Sequence, residues 1–379
     1  MPEIDDAVPK IIKAIFSEVP DPFETFDITI KPLENSRSFW SECYQVMVSS
    51  KTDKYKDKVV SPLFVKIPRI SDITTACDPG NVEQNTMILK SLTAREAMFY
   101  NDFKAVIFPG FPIPRFYYGE SLDNEEMAGL VCEDFSGTVY SLDFVPGFTD
   151  AQVIQLLDAL AYFQAATIKM KEDISWEKYE NTLYDQAYIR MLYNDTLEFE
   201  QLCPTELAGR IQAVKHAFDE NGVQNSESLN EELGMPVVLC HNDLNASNIL
   251  WNNENKQVQA FIDFQHASRG PITFDIIRVL SLGLSVENRR NNTERYLLHY
   301  YNTFKGQFKD CSVPFTIGQL HKSYLAHFNF VNAVTLFSLS YYYKMYKDDQ
   351  LNPNEEVEIR EDKAAEVLRR TLGILDDIQ

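Results

Sequence analysis

Positive charge is scarce in this 379-residue chain: 35 Lys and Arg stand against 56 Asp and Glu, a formal net charge of −21 at pH 7. An acidic surface of this kind repels nucleic acid and anionic lipid, so neither is an expected partner. A run of apolar residues long enough for a bilayer is also missing. The most lipid-like stretch, "FNFVNAVTLFSLSYYY" from Phe328, is 16 residues long and interrupted by Asn329 and Asn332, so it reads as a buried helix rather than a membrane span. The opening "MPEIDDAVPKIIKAIF" is acidic early and has no long apolar core, which argues against a signal peptide. The six cysteines, Cys43, Cys77, Cys132, Cys203, Cys240 and Cys311, lack CxxC spacing, so neither a zinc site nor a disulfide framework is indicated. Reduced thiols and a cytoplasmic location are expected, which makes the glycosylation sequons at Asn245 and Asn291 chance matches. No internal repeat or low-complexity tract is apparent.

What is there is an ordinary globular composition, 45% hydrophobic and 24% charged, in a chain longer than one core usually supports. Two lobes are expected. The first third reads as strands at "FDITIKPL", "SECYQVMVSS", "VVSPLFVKIP", "PRFYYGE" and "AGLVCEDF", whose alternating or β-branched patterns are broken by turn residues and lysines. A helix is expected between the third and fourth of these, over Asn85 to Lys104, with Leu89, Leu92, Ala97, Phe99 and Phe103 along one face. From Thr149 the pattern turns helical, with Thr149 or Asp150 as the N-cap, and stays so except at "PVVLC" and "VQAFIDF". These predict a small β-rich lobe over residues 1–136 and a larger helical lobe over residues 137–379, joined by a hinge near Glu133 to Val139.

The two late strands bracket the densest polar cluster in the chain, "CHNDLNASNILW". His241, Asp243 and Asn248 give the pattern HxDxxxxN, and Asp263 follows at the end of "VQAFID". Phosphoryl transfer asks little covalent chemistry of a protein but much positioning and charge neutralisation. One carboxylate must take or orient the attacking hydroxyl's proton. An amide and a second carboxylate must hold magnesium, which prefers hard oxygen ligands. Asp243, Asn248 and Asp263 supply that set in the order that kinase catalytic loops use. An Asp-Asn-Ser-Asn cluster taken alone makes turns and caps just as readily. The flanking strands and the second aspartate, all in order, favour the chemistry.

On these residues the chain resembles the aminoglycoside phosphotransferase and choline kinase superfamily. "CHNDL" is similar to choline and ethanolamine kinases. "NILW" with "FIDFQHASRGPITFDIIRVL" resembles the ecdysteroid-kinase-like (CHK kinase-like) family of insects and nematodes. The resemblance implies an α+β, protein-kinase-like bilobal fold, with a small antiparallel β-rich N-lobe and a mainly helical C-lobe. It implies ATP and Mg2+ as cofactors, Asp243 as the catalytic base, and Asn248 and Asp263 as metal ligands. His241 would brace the loop, and Asp275 would cap or anchor the following helix. It also implies nucleotide contacts from Lys66 in "LFVKIP" and Glu96 in "TAREAMFY", and from the hinge around Glu133 and Phe135. Gln164 stands where many relatives carry histidine, and Gln265 where choline and ethanolamine kinases carry glutamate.

The segment that should cover the phosphates, "LENSRSFWSEC", contains no glycine, the residue that lets backbone N–H groups approach phosphate closely. Asn35, Ser36 and Ser38 are the candidates for making that turn, with Phe39 and Trp40 packed beneath it. Two readings therefore stand: a phosphotransferase, or a pseudokinase that binds nucleotide or ligand and acts through partners. For the phosphotransferase, only "FQHASRGPITF" lies between Asp263 and Asp275, with no Ala-Pro-Glu to close a peptide-docking segment. The expected acceptor is thus a small-molecule hydroxyl, sterol-, aminoalcohol- or sugar-like, among the aromatic C-terminal helices.

Overall fold

Alternation sets the first strands. In the computed structural model, which describes residues 5–33, 41–69, 82–309, 312–348 and 355–379, β1 (Phe26–Pro32), β2 (Ser41–Ser50) and β3 (Leu63–Pro68) form consecutive antiparallel pairs. In β3 every second residue, Leu63, Val65 and Ile67, is buried in one core, and the two-residue period places Lys66 on the other face. β4 (Phe116–Glu120) and β5 (Gly129–Glu133) complete an antiparallel sheet in the order β1–β2–β3–β5–β4. A helix that the pattern did not reveal, Ala7–Ile15, buries Val8, Ile11 and Ile12 against this sheet. Its close approach explains Gly129, where a Cβ would stand 2.8 Å from the Ile11 Cδ1 and 3.2 Å from the Lys66 carbonyl oxygen.

The expected helix spans Val82–Phe103. Its Phe99, Tyr100 and Phe103 leave the sheet core and join the large core of the helical region. Phe99 lies flat on Phe264, ring centroids 3.8 Å apart and 6° from parallel. The segment 34–40, with Asn35, Ser36, Ser38, Phe39 and Trp40, lies outside the described residues, as do Cys77 and Cys311.

Beyond β5 the chain enters β6 (Val139–Ser141) and a helical region into which short strands are set. β7 (Val237–Cys240), β8 (Ile249–Asn252), β9 (Val258–Phe261) and β10 (Ser268–Pro271) form two small antiparallel sheets, β6–β8–β9 and β7–β10. β7 and β9 are the two expected strands. The other three, at three or four residues each, are too short to show a period in sequence. Thr149 caps helix Asp150–Lys169 through a capping box with Gln152. Within that helix Gln164 is fully buried and donates to the Ile272 carbonyl at 3.1 Å, tying the helix to the segment after β10. The apolar run from Phe328 lies inside the helix Ile317–Lys347, and among the described residues no helix is long and apolar enough to cross a membrane.

Candidate active site

β7 ends at Cys240, and the polar cluster begins there as a loop fixed from behind. Asp275, fully buried in helix Thr273–Gly283, accepts from the main-chain N–H groups of His241 (2.9 Å) and Asn242 (2.7 Å). It therefore anchors the loop rather than capping its own helix. Burial holds its carboxyl above the ordinary range, partly offset by those same N–H bonds. Asn242 takes a positive φ of 63°, which asparagine tolerates better than most residues, and its amide donates to the His266 carbonyl and the Ser268 hydroxyl. His241 is locked in one tautomer. Its Nε2 lies 2.9 Å from the Ile262 carbonyl, which can only accept, and its Nδ1 accepts from the Asp243 N–H at 3.3 Å.

Asp243 and Asn248 meet directly. The Asn248 Nδ2 donates to the Asp243 carbonyl at 2.9 Å and to its carboxylate at 3.1 Å, which turns the Asn248 Oδ1 away as an oxygen donor. The Ile262 N–H donates to the Asn248 carbonyl at 3.1 Å, which brings Asp263 alongside. Asp263 itself has φ 69° and ψ 59°, a left-handed conformation just past β9.

Lys66 joins the two lobes. Its Nζ stands 2.9 Å from Glu96 Oε2 and 2.7 Å from Asp263 Oδ1. Burial favours the neutral amine, but Asp263 and Glu96 outweigh it and hold the Lys66 ammonium above its ordinary range. Burial also favours protonated Asp263, and Lys66 reverses that, keeping the carboxyl below its usual range. Burial, reinforced by the Asp263 charge, leaves Glu96 above the ordinary range despite Lys66. Of the two carboxyls, Asp263 is the one held below its usual range. A carboxylate and an amide oxygen on backbone segments joined by the Ile262–Asn248 main-chain bond are the ligand types a magnesium ion takes, with its other ligands from phosphates and water. Gln265 donates to the other Asp263 oxygen at 3.1 Å.

Glu133 to Phe135, the expected hinge, are placed by main-chain bonds. The Glu133 N–H donates to the Arg115 carbonyl at 2.8 Å and the Asp134 N–H to the Pro62 carbonyl at 3.2 Å. The Phe135 carbonyl accepts from the Thr138 N–H and hydroxyl. Of the seven residues singled out from sequence, Lys66, Glu96 and Asp263 form one cluster and Asp243 with Asn248 the adjoining one. Glu133 and Phe135 lie at and just beyond the end of β5.

Sequence reading missed Arg278. It is 5% exposed, yet its Nη2 reaches Asp243 Oδ1 at 3.0 Å. The signal was available: Asp275 and Arg278 are three apart on a helix whose eleven residues are all buried, so one face carries two ionisable groups into the interior. On the same side Tyr342 stacks on Phe144, centroids 3.9 Å apart, and burial pushes its hydroxyl up to about 12.

An antiparallel N-terminal sheet, a lysine paired with a helix glutamate, and a polar loop set in a helical region define a protein-kinase-like fold. The choline kinase from Cryptosporidium parvum Iowa II shares it, with a TM-score of 0.53 at 11% identity over 98% of this chain and 97% of that one. The chain belongs to the DUF1679 family, whose model, described as "Uncharacterized oxidoreductase dhs-27", matches residues 58–379. It is 67% identical over 378 residues to "Uncharacterized kinase-like protein D1044.1" of Caenorhabditis elegans, covering 100% of both chains. It is 22% identical over 312 residues to the Caenorhabditis elegans "Uncharacterized oxidoreductase dhs-27", covering 76% of this chain but 37% of that protein. The activity in that name is said of a protein most of whose length this chain does not match.

Proposed function

We propose that this chain is an ATP- and Mg2+-dependent phosphotransferase of the ecdysteroid-kinase-like (CHK kinase-like) group, acting on the hydroxyl of a sterol-, aminoalcohol- or sugar-like small molecule in the cytoplasm. The observation that carries the reading is Lys66 meeting Glu96 and Asp263 at 2.9 and 2.7 Å, one side chain from each of three separate elements. Residues 1–136 would bind the nucleotide, with Lys66 on its phosphates and the Glu133 carbonyl and Phe135 N–H on adenine. Residues 137–379 would hold the acceptor beside Asp243. Asn248 and Asp263 would hold Mg2+, whose charge offsets that gathered on the phosphates. Asp243 takes the acceptor's hydroxyl proton as that oxygen bonds to the γ-phosphorus. The bond from phosphorus to the bridging oxygen breaks, its electron pair leaving with ADP, and the acceptor becomes a phosphate ester.

The glycine-free sequence between β1 and β2 supports the second reading, a pseudokinase that binds nucleotide or ligand without turnover. Melting of the purified chain with ATP, with and without Mg2+, tests the choice, together with ATP turnover. A magnesium-dependent rise in Tm that is weakened in Asp263→Ala supports the phosphotransferase. Turnover should then fall by about 10²–10⁴-fold in Asp243→Asn, the span usual for a lost general base. Binding without turnover across alcohols of all three classes favours the pseudokinase. No shift at millimolar ATP in folded protein removes the nucleotide site from both.

A further inference from the structure

We propose that Arg278 is a positioning residue for this reaction: its guanidinium clamps the Asp243 carboxylate in the orientation from which it takes the acceptor's proton. The inference rests on the phosphotransfer reading above and adds to it a group outside the expected site.

Both carboxylate oxygens of Asp243 are engaged, Oδ1 by Arg278 Nη2 at 3.0 Å and Oδ2 by Asn248 Nδ2 at 3.1 Å. Two donors on opposite oxygens stop rotation about the bond that carries the carboxylate. The clamp is itself fixed. Arg278 Nη2 also donates to Ser338 at 2.7 Å and Nη1 to Thr335 at 3.4 Å, both on helix Ile317–Lys347. Three residues earlier on the same helix, Asp275 grips the main chain of His241 and Asn242. One helix face thus sets the loop's backbone and the base's side chain together.

The arrangement is expensive for stability alone. Arg278 Nε finds no hydrogen-bond partner among the described residues, and a buried donor left unpaired is destabilising. Apolar residues of similar volume often replace a buried ion pair without loss of stability. An arginine kept there has a use that packing does not supply.

The test is Mg2+-dependent ATP hydrolysis, with water as the acceptor, in wild type, Arg278→Lys, Arg278→Gln and Arg278→Gln combined with Asp243→Asn. Arg278→Gln is expected to lower kcat by about 10²-fold, the scale of a misplaced catalytic group, with KM for ATP and the Mg-ATP melting shift unchanged. Arg278→Lys, which keeps the charge but not the fork, should recover part of kcat. In the Asp243→Asn background Arg278→Gln should cost nothing more. An unchanged kcat in Arg278→Gln, a raised KM with kcat intact, or a further loss in the Asp243→Asn background would overturn the clamp. Should the Gln variant fail to fold, full wild-type kcat in Arg278→Lys overturns it and a partial loss supports it. Wild type with neither a Mg-ATP shift nor turnover overturns the phosphotransfer reading and the clamp with it; active wild type beside equally active Arg278→Gln overturns the clamp alone.

Discussion

Lys66 in the N-terminal sheet makes a 2.7 Å ion pair with Asp263, 197 residues further along the chain. Glu96 lies at 2.9 Å from the same ammonium, so one cation serves two carboxylates drawn from both lobes. If the chain binds nucleotide as proposed, the phosphates would compete with those carboxylates for Lys66 and tie nucleotide binding to how the lobes are held.

Lys66→Met leaves buried Glu96 and half-buried Asp263 without their cation. Removing one partner of a buried pair costs about 3–5 kcal/mol. Urea unfolding should show a loss on that scale, and the Mg-ATP melting shift should vanish. A variant as stable as wild type would show that the bridge does not hold the lobes.

Acid should destabilise the protein through buried His327 and half-buried His266. Burial lowers the pKa of His327 and of His266 from the ordinary value. In the unfolded chain a histidine takes its proton near pH ~6.5, whereas the folded site resists it. The stability these groups contribute is therefore complete above that pH and is lost as pH falls through their folded values. Melting measured from pH 7.5 to 5 should show the decline, and it should be shallower in His327→Gln. An identical slope in the variant would assign the decline to carboxylates alone.

Phe264 follows the metal-ligand candidate Asp263 and lies flat on Phe99, with Tyr100 edge-on and His241 at a centroid distance of 4.6 Å. Truncation to alanine should cost about 3–5 kcal/mol, the range for a buried aromatic ring. Phe264→Leu should retain most of the stability. If packing also fixes the residue beside it, the alanine variant loses the magnesium-dependent part of its melting shift more completely than its stability loss explains. Equal Mg2+ dependence in both variants would limit Phe264 to packing.

Local chemistry was legible in the sequence wherever neighbours along the chain determine the outcome. The alternation in "LFVKIP" gave both the strand and the face that carries Lys66. Thr149 signalled a helix start, and the polar cluster between two apolar strands signalled the loop. Distant partners were not legible. Arg278 meets Asp243 across 35 residues, and no pattern within its own helix names the partner. Helix Ala7–Ile15 is nine residues long, too few turns for its apolar period to stand out in sequence. β6, β8 and β10 owe their existence to pairing rather than to any preference of three or four residues.

Asn248 and Asp263 stand at the open end of the β8–β9 hairpin, where the Ile262 N–H bonds the Asn248 carbonyl. Their spacing in space is set by strand register and not by the number of residues that separate them. Homologous chains are therefore free to lengthen or shorten the tip around Asn253–Gln257 without moving either side chain. A one-residue insertion inside either strand would reverse its faces and part the two. Sequence searches that demand a fixed interval between the asparagine and the aspartate will miss relatives whose sites are intact.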